Sequence, residues 1–200
     1  MQDFKAFTVR FRGRTNVLFS EVGVSQAFDP KVTTINQPPI TYLNAIWDTG
    51  ASCTIISKEY AIKVGLVPTG KTTITGVNNS TLENTYQVNV YLPNKVCLVF
   101  VKIAEAPALA GGAGMLIGMD IIGSGDFSVY SEDGKTVMTY RFPSIGGTDF
   151  VVEANSISSR RAIMQKIDEE RINRKPLRKK ERLKRKQQRK SKKRHKKNKR

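Results

Sequence analysis

The stretch that most constrains this chain is Trp47-Asp48-Thr49-Gly50-Ala51-Ser52-Cys53, entered from the apolar run Ile40 to Trp47. An apolar run behind Pro38-Pro39 predicts a buried strand. The glycine just past its end predicts a tight turn, so the strand delivers one carboxylate, Asp48, into that turn. A carboxylate that activates water must be held still and partly dried. Gly50 lets the backbone bend and leaves room for another group to approach. The Thr49 hydroxyl can tie the turn down, and Ala51 and Ser52 keep it narrow. One aspartate cannot take a proton from water and give one to a leaving group in the same step, so a partner acid is expected. Two carboxylates about 3 Å apart cannot both ionise and share a single proton.

Asp-Thr-Gly alone is also an ordinary exposed turn, so the elements that follow it carry the discrimination. The turn runs on into Thr54-Ile55-Ile56-Ser57. Thr75-Gly76-Val77-Asn78-Asn79 lies between Ile74 and the strand-like Tyr86 to Leu92, and Leu116-Ile117-Gly118-Met119-Asp120-Ile121-Ile122 follows. In this order and spacing the three elements resemble the retropepsin-type (retroviral-like) aspartic proteases, including their bacterial and phage relatives, over about residues 40 to 142. The resemblance implies a mainly β fold: one retropepsin-like acid-protease β-barrel domain with a short helix, followed by a basic helical or disordered C-terminal tail. It makes Asp48 the catalyst, with Thr49, Gly50 and Ala51 and the element Leu116, Ile117 and Gly118 supporting the active-site loop. Ile74, Thr75, Gly76, Val77 and Asn78 become a flap that closes over an extended peptide. No metal or organic cofactor is implied.

Pepsin-like enzymes carry two Asp-Thr/Ser-Gly turns in one polypeptide, and this chain has one. The expected active species is therefore a symmetric homodimer acting on a peptide or protein substrate. Two departures from the retroviral pattern stand out. Met119-Asp120 follow Gly118 where those enzymes usually carry Arg, and 47 residues precede Asp48, more than they place there. Asp120 falls where the family begins a helix, not in a catalytic turn.

Other chemistries lack their residues. The chain has one histidine, His195, far from Cys53 and Cys97, which opposes a Cys-His enzyme and a zinc site. The glycines of Ala108 to Gly114 are not followed by Lys-Ser/Thr, which opposes a phosphate cradle.

Phe7, Val9 and Phe11 alternate with polar residues, predicting a strand that Gly13-Arg14 turns so that Val17 to Val24 can return beside it. Lys58 to Val64, stopped by Gly65, predicts a short helix. Val88 to Leu92 and Val96 to Val101 predict strands joined by Pro93-Asn94-Lys95. Phe127 to Tyr130 and Thr136 to Phe142 predict a hairpin closed by an Asp-Gly turn. Phe150-Val151-Val152 reads as one more strand or a segment docked on the core. These boundaries give a protease-like domain over 1–152, an amphipathic helix or linker over 153–173, and a Lys/Arg-rich tail over 174–200.

The charge is divided sharply. Of a net +17, residues 160–200 hold 22 Lys and Arg against four acids, while the first 159 hold 12 bases and 13 acids. Ser158-Ser159 can cap a helix to about Asn173, and Pro176 interrupts it. Beyond Pro176 the composition cannot bury a core and is expected to be disordered. Such a tail attracts polyanions through salt-sensitive contacts, most simply nucleic acid without sequence preference, since no aromatic residue interleaves the bases. A solubilising extension is the plainer reading of the same charge. No apolar run approaches the ~20 residues of a membrane span, and the start lacks a secretory pattern. The expected setting is cytoplasmic.

Overall fold

A computed structural model of the chain describes residues 3–33, 35–75, 80–167 and 169. The described residues up to Gly147 form one compact unit, and those from Thr148 are described separately. The first unit contains β1 (Lys5–Arg10), β2 (Leu18–Gln26), β3 (Thr41–Trp47), β4 (Ile55–Ser57), α1 (Lys58–Val64), β5 (Gly70–Thr75), β6 (Ser80–Tyr91), β7 (Cys97–Ala106), β8 (Met115–Ile117), α2 (Met119–Ile122), β9 (Asp126–Glu132) and β10 (Lys135–Phe142).

Six strands close on themselves in the order β2-β3-β8-β4-β7-β6, because β2 pairs with β3 along Leu18–Val24 and with β6 along Gly23–Gln26. The result is a mainly β barrel. Its interior is set by inward-facing apolar residues of the paired strands: Val22, Val24, Leu43, Ala45, Ile56, Val88, Val90, Ile103, Met115 and Ile117 are all buried. Burying each aliphatic side chain of this size contributes roughly 1.5–3 kcal/mol before chain entropy is counted. Asn89 is buried among them, and its amide is satisfied twice: Nδ2 donates to the Phe28 carbonyl and Oδ1 accepts from the Phe100 N–H. That bracing coincides with the register shift between Val88 and Val90.

A second sheet, β1-β10-β9, is antiparallel throughout. The expected β1–β2 hairpin does not form. Phe11 and Gly13 instead continue the ladder along β10, bonding to Thr136, before the chain crosses to the barrel. The two apolar faces have different destinations: Val22 and Val24 fill the barrel, whereas Phe7 packs on Trp47 and Tyr140.

Helix α1 has the predicted limits. Ser57 caps it by accepting from the Tyr60 N–H, and Gly65 ends it at φ 74°, a left-handed conformation suited to glycine. The predicted Asp-Gly hairpin joins β9 to β10 in register through Glu132 and Lys135.

In the second unit, residues 150–167 are helical. This corrects the reading of Phe150-Val151-Val152 as a strand and moves the helix start back from Ser158. Asp149 is the reason: its Oδ1 accepts from the N–H groups of Val151 and Val152, the capping pattern that starts a helix. The predicted disordered segment lies outside the described residues. No helix among the described residues is long and apolar enough to cross a membrane.

Candidate active site

Asp48 stands at the end of β3, which is flanked by antiparallel β2 and by parallel β8 in the register Ala45↔Met115, Ile46↔Leu116, Trp47↔Ile117. The turn is fixed to that parallel neighbour: the Asp48 N–H donates to the Ile117 carbonyl at 3.0 Å. The Ala51 N–H closes the turn on the Asp48 carbonyl at 3.2 Å. The carboxylate is half-buried, and its Oδ1 accepts from the Gly50 N–H at 2.8 Å. Among the described residues Oδ2 accepts no hydrogen bond. The turn therefore orients one oxygen through the Gly50 N–H.

Gly50 serves by close approach, since a Cβ there would lie 3.2 Å from Asp48 Oδ1. Its φ is not among the left-handed ones, so the turn does not draw on glycine's conformational freedom. Thr49 is exposed, and among the described residues its hydroxyl makes no hydrogen bond.

Leu116, Ile117 and Gly118 lie against the turn. Leu116 pairs with both Ile46 and Ile55, placing β8 between the strand before the turn and the strand after it. Gly118 allows the closest contact: an added Cβ would meet the Cys53 carbonyl carbon and oxygen at 2.5 Å and the Ala51 oxygen at 3.0 Å. Met119 then donates its N–H to the Ala51 carbonyl at 2.8 Å.

Two residues outside the expected set complete the brace. Thr54, fully buried, donates its hydroxyl to Asp120 Oδ1 and its N–H to Asp120 Oδ2, at 2.7 and 2.9 Å. The same hydroxyl oxygen accepts the Gly118 N–H at 3.1 Å. The readable signal was an acid in the first turn of α2 with no base beside it, but its partner 66 residues away was not apparent. Asp120 also helps raise the Cys53 thiol pKa above its ordinary value, second to the effect of burial.

Below the turn, Trp47 donates its indole N–H to the Ser20 hydroxyl at 2.9 Å, stacks on Phe127 at 5.7 Å, and packs against Phe7 and Tyr140. Further along the chain, β5 and the first part of β6 form a hairpin that β7 does not join until Thr85. Ile74 pairs with Thr81 and Thr75 with Ser80 at its outer end. Gly76, Val77 and Asn78 lie outside the described residues. A cavity of about 230 Å³ opens beside β3, lined by Val17, Phe19, Asn44, Ile46 and the Ala110–Ala113 loop. No cluster of side chains able to hold a metal occurs among the described residues.

No family model and no curated protein matches the chain. Among solved structures it is similar to a retropepsin-like aspartic protease from Rickettsia conorii, with 14% identity over 70% of this chain and 97% of that one and a TM-score of 0.43. It is also similar to the retroviral protease-like domain of Ddi1 from Leishmania major, with 18% identity, coverage of 62% and 94%, and a TM-score of 0.35. The EIAV protease in complex with the inhibitor HBY-793 gives 18%, 46% and 91%, and 0.34. The closed barrel, its one Asp-Thr-Gly turn and the Leu-Ile-Gly brace are arranged as in a retropepsin-type fold. Identities this low leave the chemistry to be read from the residues.

Proposed function

We propose that the chain is an aspartic endopeptidase that works as a homodimer, with one Asp48 from each copy. The observation that carries this reading is the state of Asp48: backbone anchored to Ile117, one oxygen held by Gly50, the other open. With two such carboxylates together, one is ionised and the other protonated. Water held between them gives its proton to the ionised carboxylate as its oxygen attacks the scissile carbonyl carbon. The protonated carboxylate hydrogen-bonds to the carbonyl oxygen and passes it the proton, giving a neutral gem-diol. Collapse of that diol breaks the C–N bond, and the amine leaves with a proton from the dyad. The β5–β6 hairpin supplies backbone groups for an extended substrate, and the cavity at Ile46 takes an apolar side chain of it. Asp48→Asn is the test: peptide cleavage disappears while the thermal midpoint stays close to that of the parent. Full cleavage by the variant would end the mechanism.

The charge of residues 160–200 favours a second reading, a protease-like module whose work is binding nucleic acid. Removing residues 174–200 distinguishes the two: loss of salt-sensitive nucleic-acid binding with cleavage retained assigns the tail a tethering role. Nucleic-acid binding in a chain that cleaves no peptide favours the module.

A further inference from the structure

The helix over residues 150–167 carries its apolar side chains exposed, Ile163 and Met164 at 58% and 59% among them. At about 100° per residue, Val152, Ile163, Ile167, Met164, Ile157 and Phe150 fall in that order within one arc of about 160°. Val151 lies outside the arc, and Glu153, Ser156 and Arg160 lie inside it. The opposite side is occupied by Ser158, Ala162, Gln165 and Lys166 and their neighbours. An aliphatic stripe of this width left in water marks a surface that something covers.

The charge says what kind of cover fits. From Ile157 to Ile167 the charged residues are Arg160, Arg161 and Lys166, with no acid among them. After Pro176 the sequence holds 16 Lys and Arg against one acid, Glu181. The cover must therefore be apolar where it meets the stripe and anionic around it. Nucleic acid answers the charge but offers no apolar surface to isoleucine and methionine. A second copy of the helix answers the stripe, but a parallel pairing sets two Arg160 guanidinium groups together in the middle of the seam and brings a second basic segment beside the first. An anionic bilayer surface supplies both, with acyl chains below and phosphate and carboxylate headgroups above. Arg160 suits that boundary: its stem can lie along the aliphatic stripe while its guanidinium reaches a headgroup phosphate. Glu153 stands toward the other end of the helix, so the inserted part is centred on Ile157 to Ile167.

We propose that residues 157–167 lie in the plane of an anionic membrane surface, aliphatic stripe inward, and that the basic sequence after Pro176 reinforces the attachment. Binding of such a helix grows with the apolar area it buries and with attraction to anionic lipid, and here the two contributions come from neighbouring segments. The helix lies on the bilayer and does not span it, since no helix among the described residues is long and apolar enough to cross. The chain is thereby tethered to a membrane surface whichever peptides its first unit acts on.

Co-sedimentation of the full chain with vesicles tests this. The parent is expected to bind vesicles of phosphatidylcholine with phosphatidylserine, to lose that binding as salt rises, and to leave vesicles of phosphatidylcholine alone unbound. Ile163→Gln and Ile167→Gln together keep the charge and the helix propensity while removing half of the central stripe. Affinity for the anionic vesicles is expected to fall about 10-fold or more, with binding to polyuridylate unchanged. Ala162→Gln, on the polar side, is expected to leave both unchanged, and an unaltered thermal midpoint shows that each variant is folded. No binding of the parent to the anionic vesicles overturns the proposal. So does vesicle binding that the double variant retains, which assigns the segment to polyanions through charge alone, and so does an equal fall in vesicle and polyuridylate binding.

Discussion

Thr54 and Asp120 meet through both carboxylate oxygens, and the Thr54 hydroxyl at the same time accepts the Gly118 N–H. One buried side chain thereby joins the segment after the Asp48 turn to the element that supports it. Removing that hydroxyl leaves the Gly118 N–H unsatisfied in a buried place.

Thr54→Val keeps the shape and removes the bonds. It is expected to cost about 1–3 kcal/mol, the usual penalty for a stranded buried donor, and to lower the thermal midpoint by several degrees. Asp120→Asn is expected to cost less, because its amide oxygen still accepts one of the two bonds. Urea unfolding of both variants checks the order; equal stability of Thr54→Val and the parent would remove the brace.

Gly118→Ala probes the same junction by volume. An added methyl would sit 2.5 Å from the Cys53 carbonyl group, and backbone on both sides must move. Destabilisation of about 1–3 kcal/mol is expected. Cleavage should fall further than stability explains, because the displaced segment carries Asp48. Comparing kcat at a temperature where both proteins are folded measures that difference.

Much of this site was legible in the sequence because its parts are local. The apolar run into Asp48, the α1 limits at Ser57 and Gly65, and the Asp133-Gly134 hairpin each depend on residues within a few positions of one another. Contacts set by tertiary pairing were not legible. Nothing near Phe11 indicated that it would continue along β10 and not turn into β2, and nothing near Thr54 indicated Asp120. Asp149 was a local signal overlooked, since the β-branched Val151 and Val152 favour a strand by propensity and the cap outweighs them.

Glu105 is a buried carboxylate of the barrel, met by the Tyr86 hydroxyl and more distantly by Asn84 Nδ2 at 3.5 Å. Burial, then the hydrogen bond and negative charge of Glu105, push the Tyr86 phenol up to about 12. A raised phenol pKa stabilises the fold below the ordinary value near 10, and that contribution is lost as pH climbs toward 12. Tyr86→Phe strips Glu105 of its nearest donor and is expected to cost about 1–3 kcal/mol at neutral pH. The gap between parent and variant in urea midpoint should narrow between pH 10 and 12. A constant gap would contradict the assignment.

Asp126 opens β9 and is the most heavily bonded carboxylate on that strand. Ser144 and the Ile145 N–H, followed by Arg141, hold its pKa at about 2, below the ordinary 3.8. A lowered carboxylate pKa contributes stability above about pH 4, and the contribution disappears as pH falls through 2. The charge therefore survives into the mildly acidic range. Asp126→Asn is expected to be less stable than the parent at pH 7 and to converge with it by pH 2, as followed by urea midpoints at pH 7, 4 and 2. If the two proteins lose stability in parallel across that range, Asp126 does not anchor the sheet through its charge.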